Sequence, residues 1–307
     1  MKQNNLKGSL ILGLAAFIWG MAFVAQDQIS DSVPTFTINA SRSFIAAIFL
    51  FVFWKITNIK TKAKFLPETK EGKKKYLAAA LLCGGFLSVA MNLQQFGMAL
   101  YPKGAPAEAH AGFLTVLYVI LVPIFSIFIR KKVGILVWCG GILSTVGIYM
   151  LCLANGLDAF YFADIIVFCC SIAFALQILA VDKYVGITGG VKLSIMQFLV
   201  VGVISTIGAL IFDLNTLSIS KLIDGAWLIL YLGIMSSGIA YTLQIVGQKF
   251  AEPSVASITM SFESVFAVLG GVLFPKGTLS KNEIIGCVIM FAAIIVAQLP
   301  EFKKNKA

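Results

Sequence analysis

Ala90-Met91-Asn92-Leu93-Gln94-Gln95-Phe96-Gly97 returns 150 residues later as Ala240-Tyr241-Thr242-Leu243-Gln244-Ile245-Val246-Gly247. The shared frame is A-x-x-L-Q-x-x-G. Other matches extend it along the chain. Gly140 and Gly147 answer Gly286 and Ala293 at an offset of 146. Arg42 answers Gln197, and Trp19-Gly20 answers Phe174-Ala175, both at 155. The chain therefore reads as two similar halves. Composition says what they are built from. Of 307 residues, 59% are apolar and only 12% charged, with a mean hydropathy of +0.93. A soluble domain runs near 45–50% apolar and about 25% charged, so an ordinary soluble enzyme is improbable and an all-α integral membrane protein fits. A spanning helix uses roughly 20 mostly apolar residues. Ten such spans are read at 8–26, 34–54, 76–98, 106–129, 134–153, 162–182, 191–212, 226–249, 253–274 and 283–299.

Loop charges orient these spans. With a cytoplasmic N-terminus, 19 Lys and Arg fall in inside segments and 4 in outside ones, and Arg42 lies within a span. Such a bias is the positive-inside signal, and both termini come out cytoplasmic. The Lys-rich stretch 55–75 reads as a cytoplasmic loop anchoring that topology. The net charge of +10 is thus a topology signal, not a nucleic-acid footprint. Five spans per half is an odd number, so the second half enters from the opposite side. The halves, 8–153 and 161–300, are then inverted copies, an arrangement suited to alternating access. The expected setting is a cell membrane crossed many times. Cys83, Cys139, Cys152, Cys169, Cys170 and Cys287 all lie in apolar stretches without metal-type spacing, and no metal or cofactor is expected.

Polar residues within the spans need separate accounts, because an ionisable group there costs at least about 2.5 kcal/mol on insertion scales. Glu263 and Arg42 sit at similar depths. Three readings stand for Glu263: an ion pair with Arg42, a cavity carboxyl that couples transport to protons, or a protonated acid bonded to a neighbour. His110, the single histidine, reads as a proton relay or an interfacial residue. Gln94 and Gln244 occupy equivalent places at opposite helix ends, as gates or as interhelical glue. Trp19, Asn92, Gln94, Tyr118, Tyr241, Gln244 and Phe262 are the candidate substrate or gating residues. Without a cluster of one charge sign, a small neutral or zwitterionic solute such as an amino acid or nucleoside fits best. A membrane enzyme would need paired carboxylates or a His-based metal site, and the chain has no GxxxxGK[ST], HExxH or GxSxG motif. A passive channel is the main alternative to a carrier.

Trp19-Gly20, Ala111-Gly112-Phe113-Leu114-Thr115 through Pro123, and Ser261-Phe262-Glu263-Ser264-Val265-Phe266, in that order and within the repeat, resemble the drug/metabolite transporter superfamily in its EamA-type branch. The resemblance implies a duplicated ten-helix carrier of small metabolites, typically an exporter. It also implies a central cavity lined by spans one, three, four, six, eight and nine, with five and ten peripheral. Many members carry a Glu after the fourth and ninth spans. Here those places hold Arg130-Lys131-Lys132 and Pro275-Lys276-Gly277, so no role carries over from those glutamates.

Overall fold

The computed structural model describes residues 5–30, 32–60, 64–102, 107–152, 161–267 and 281–304. It is all-helical over these residues. The helices are α1 (Asn5–Ser30), α2 (Thr35–Thr57), α3 (Lys70–Leu100), α4 (Ala107–Thr115), α5 (Tyr118–Phe128), α6 (Ile135–Cys152), α7 (Phe162–Thr188), α8 (Gly190–Gly208), α9 (Ile219–Asp224), α10 (Ala226–Tyr231), α11 (Tyr241–Gln248), α12 (Pro253–Met260) and α13 (Lys281–Lys304). Wide π-helical turns follow α8 at Ala209–Asp213 and join α10 to α11 at Leu232–Ala240. Among the described residues, seven helical segments are long and apolar enough to cross a membrane, and two shorter apolar ones lie at Ile135–Met150 and Ile284–Ala297. The remaining sequence span, 253–274, lies partly outside the described residues.

Polarity is distributed for a lipid surround. Phe128, Ile135, Ile219 and Trp227 are exposed, while Asn39, Gln177, Gln197 and Ser144 are buried. Burying amides inside a bundle is tolerable only when they bond one another, and several do so below. The helices run past the apolar spans where the chain leaves lipid. α3 begins at Lys70, inside the Lys-rich stretch, because Thr69 caps it: its hydroxyl accepts from the Gly72 N–H at 3.1 Å. Glu71 and Lys75 then pair across one turn.

Spans four and nine are both interrupted. α4 stops at Thr115 and α5 starts at Tyr118, with i→i+3 bonds such as Leu117 N–H to Leu114 O across the gap. α12 stops at Met260, and Phe262 N–H and Ser264 N–H reach back only three residues. The two breaks lie at corresponding places in the halves. Discontinuous helices are a common way to bring backbone and side chains to a site inside a membrane.

The halves meet through matched residues. A Cβ on Gly97 would strike Val167, and one on Gly247 would strike Leu12; these pairs are 150 and 155 apart in sequence, the repeat offsets. A Cβ on Gly84 would meet Val200 and the Gln197 carbonyl, and one on Gly233 would meet Ile45 and the Arg42 carbonyl. The offset from Gly84 to Gly233 is 149, yet from Gly97 to Gly247 it is 150. The wide turns at 232–240 account for the difference, because a π-bulge inserts one residue into an α-helix. Corresponding helices also pack antiparallel. Gly202 and Gly208 of α8 face Phe44 and Phe36 of α2, and Gly140 and Gly147 of α6 face Ala297 and Met290 of α13.

One capping bond crosses the halves. Pro34 precedes α2 and offers no side-chain cap. Instead the Asp213 carboxylate accepts from the Thr37 N–H at 2.7 Å and from its hydroxyl at 2.8 Å. Asp213→Ala should leave two buried donors unmet, a cost of about 1–3 kcal/mol. A lower unfolding midpoint for the detergent-purified variant, with unchanged solute selectivity, is the expected result.

Candidate functional site: a central cavity between the halves

The helix faces that converge on the centre are legible as turns. Trp19, Phe23 and Gln26 follow at i, i+4 and i+7 on α1, one face of a helix at 3.6 residues per turn. Phe174 and Ile178 form the same face on α7, each 155 residues after Trp19 and Phe23. Tyr241 and Gln244 share a face of α11. With Arg42, Gln94, Thr115, Tyr118, Ser236, Met260 and Glu263, these residues line a central cavity. The cavity takes residues from spans one, three, four, six, eight and nine, with Arg42 of span two added. No described residue of spans five and ten lines it; α6 and α13 pack chiefly on each other.

Glu263 emerges at the break after α12, and Tyr118 at the break before α5. The Tyr118 hydroxyl donates to Glu263 Oε1 at 3.1 Å, joining the halves at the cavity wall. Arg42 makes no ion pair with Glu263. Its Nη1 donates to Gln26 Oε1 at 3.1 Å, and its Nε has no partner among the described residues. Of the three sequence readings for Glu263, the ion pair with Arg42 is therefore not present in this structure. The carboxyl accepts from Tyr118 instead.

Trp19 sits edge-on to Tyr241, with ring centroids 4.7 Å apart, and Tyr241 in turn meets Phe198 edge-on at 5.4 Å. The indole Nε1 donates to the Ser236 carbonyl at 3.3 Å. Ser236 lies in the π-helical stretch, where wide winding disturbs the ordinary i→i+4 bonds. The two repeat glutamines differ in their neighbours. Gln94 Nε2 donates to Thr115 Oγ1 at 3.1 Å. Gln244 Nε2 donates to Gln177 Oε1 at 3.0 Å, and Gln177 Nε2 to Gln197 Oε1 at 3.4 Å. Gln244 Oε1 is buried without a partner among the described residues.

Two sequence candidates lie elsewhere. Asn92 is buried where α2, α3 and α8 meet, donating to Ser88 O and Ser205 Oγ and accepting from Asn39 Nδ2. It is two residues from Gln94, about 200° around the helix, so both cannot face one cavity. Phe262 packs edge-on against Phe291 of α13 at 4.7 Å, away from the cavity. The side chain of His110 lies outside the described residues. The residues that sequence reading missed are Phe23, Gln26, Thr115, Phe174, Ile178, Ser236 and Met260. Helical spacing from Trp19 and its repeat partner was a usable signal for the first, second, fourth and fifth. Ser236 had none, because a π-helical turn leaves no clear periodicity.

The model of the EamA-like transporter family matches residues 6–153 and again 161–298. The chain belongs to the EamA-like transporter family. Membership makes it a transporter rather than an enzyme. An "Uncharacterized transporter" of Archaeoglobus fulgidus is 27% identical over 306 residues, covering 96% of this chain and 87% of its own length. A solved crystal structure superposes with a TM-score of 0.77 at 17% identity, covering 95% of this EamA-like chain and 96% of the other. That likeness concerns the fold.

Proposed function

We propose that this EamA-like transporter is a secondary active exporter of small neutral or zwitterionic metabolites, working by alternating access across the cell membrane. The observation that carries the reading is one cavity built from matched positions of both halves: Trp19 with Phe174, Phe23 with Ile178, and Gln94 with Gln244. A solute held there touches both halves at once, so a rocking of one against the other re-exposes it on the far side. Ten spans, five in each half, fit the family match. The antiparallel packing of α2 with α8 and of α6 with α13 supports inverted halves. The Lys and Arg bias supports cytoplasmic termini.

Within this reading, Trp19, Gln94, Tyr118, Tyr241 and Gln244 contact solute, and Glu263 carries a proton that exchanges with it. Asn92 and Phe262 hold helices together. Counterflow in proteoliposomes, with labelled amino acids and nucleosides and with or without a pH gradient, tests the proposal. Saturable exchange supports it, and flux that never saturates means a channel. Trp19→Phe keeps the ring and removes the bond to Ser236. About 1 kcal/mol for such a bond predicts a half-saturation constant raised roughly fivefold, read in the same counterflow assay.

A further inference from the structure

We infer that Arg42 is an anion subsite of the central cavity and that the transported solute bears one carboxylate. The inference rests on reading the cavity as the solute site, and it adds an acidic group to that solute. Arg42 is 3% exposed. A guanidinium taken out of water costs several kcal/mol unless an anion and good hydrogen bonds compensate. No anion of the protein does so among the described residues. Glu263 is held by Tyr118. Asp213, at the head of the same helix, is engaged by Thr37. Arg42 keeps one amide contact, to Gln26, and a buried Nε without a partner among the described residues.

The repeat isolates the charge. The residue equivalent to Arg42 in the second half is Gln197, also buried, accepting from Gln177. A neutral amide therefore suffices for helix packing at this place. The charge in the first half is an addition, and it lies where a helix face meets the cavity. The guanidinium fork matches the two oxygens of a carboxylate. With Glu263 as the other ionisable group of opposite type in the lining, a solute with two or more anionic groups would bring its second charge against a carboxyl. Trp19 and Tyr241 offer ring faces and edges to the apolar part.

The test uses two probe pairs, 3-phenylpropionate with 3-phenylpropanamide and acetate with acetamide. Binding to the purified transporter is followed by intrinsic fluorescence and by thermal shift. Inhibition of counterflow by the same four compounds is measured in proteoliposomes. In the wild type each acid should bind about thirtyfold better than its amide, the size expected for charged hydrogen bonds. Arg42→Gln, which installs the residue of the second half, should bring acid and amide within threefold. Arg42→Lys keeps the charge without the fork and should lose about tenfold for the acids alone. It also serves if Arg42→Gln fails to give a single peak in gel filtration. Equal binding of acid and amide by the wild type, or unchanged preference in either variant, overturns the inference. So does chloride at physiological concentration abolishing the preference, which would make an inorganic ion the resident partner. If acids bind through Arg42 but no solute shows saturable counterflow, the anion subsite stands and the carrier reading falls.

Discussion

Glu263→Gln should erase accumulation driven by a pH gradient while leaving counterflow of the same solute within about threefold. The physical basis is the position of the carboxyl. Glu263 is 6% exposed, lines the cavity, and emerges where α12 breaks off. Among the described residues its side-chain hydrogen bond is to the Tyr118 hydroxyl of the opposite half. Under the alternating-access proposal, a group so placed would take a proton from one compartment and release it to the other. Gln keeps the volume and can still accept from Tyr118, so packing survives, but it holds no exchangeable charge. One proton moving down one pH unit supplies about 1.4 kcal/mol, enough for tenfold accumulation. In the wild type a one-unit gradient should therefore give up to tenfold accumulation per coupled proton, and in Glu263→Gln none. Retained gradient dependence in the variant would sink the coupling role. Loss of counterflow as well would instead place Glu263 in solute binding or in the joint between halves.

Gly84→Val should abolish transport and destabilise the bundle, whereas Gly85→Ala, one residue on, should be silent or slightly stabilising. A Cβ on Gly84 would lie 2.6 Å from Val200 Cβ and 2.9 Å from the Gln197 carbonyl oxygen. The second contact is backbone, so no rotamer relieves it, and α3 must back away from α8. Overpacking of this kind costs about 1–3 kcal/mol, and the added Val methyls worsen it. A Cβ on Gly85 would meet none of the described residues within 4 Å, and Ala is the better helix former by roughly 0.5–1 kcal/mol. Thermal unfolding in detergent should rank them Gly84→Val below wild type and Gly85→Ala at or above it. Similar midpoints for both would mean that the α3–α8 contact loosens without cost.

Much of this was written in the sequence. The A-x-x-L-Q-x-x-G pair marked the two helices whose glutamines reach the cavity, and the offset of 155 tied Trp19 to Phe174 before either had a position. What it leaves open is angle. Asn92 and Gln94 are close in the chain, but a helix turns 100° per residue, which sends the two to different interfaces. Phe262 and Glu263 are adjacent, but at the break after α12 neighbouring side chains part, one into the cavity and one onto Phe291. The depths of Arg42 and Glu263 came out compatible with one cavity. Their pairing did not follow, since equal depth says nothing about azimuth. Ser236 was invisible because it sits in a π-helical stretch that hydrophobic periodicity does not register.

That stretch has a consequence for direction. Residues 232–240 carry one residue more than their counterpart in the first half, so the two halves cannot trade shapes and regenerate the same molecule. Under the alternating-access proposal the two extreme poses would then differ in energy even with the cavity empty and no gradient applied, and the lopsided winding of a single helix would set the resting posture.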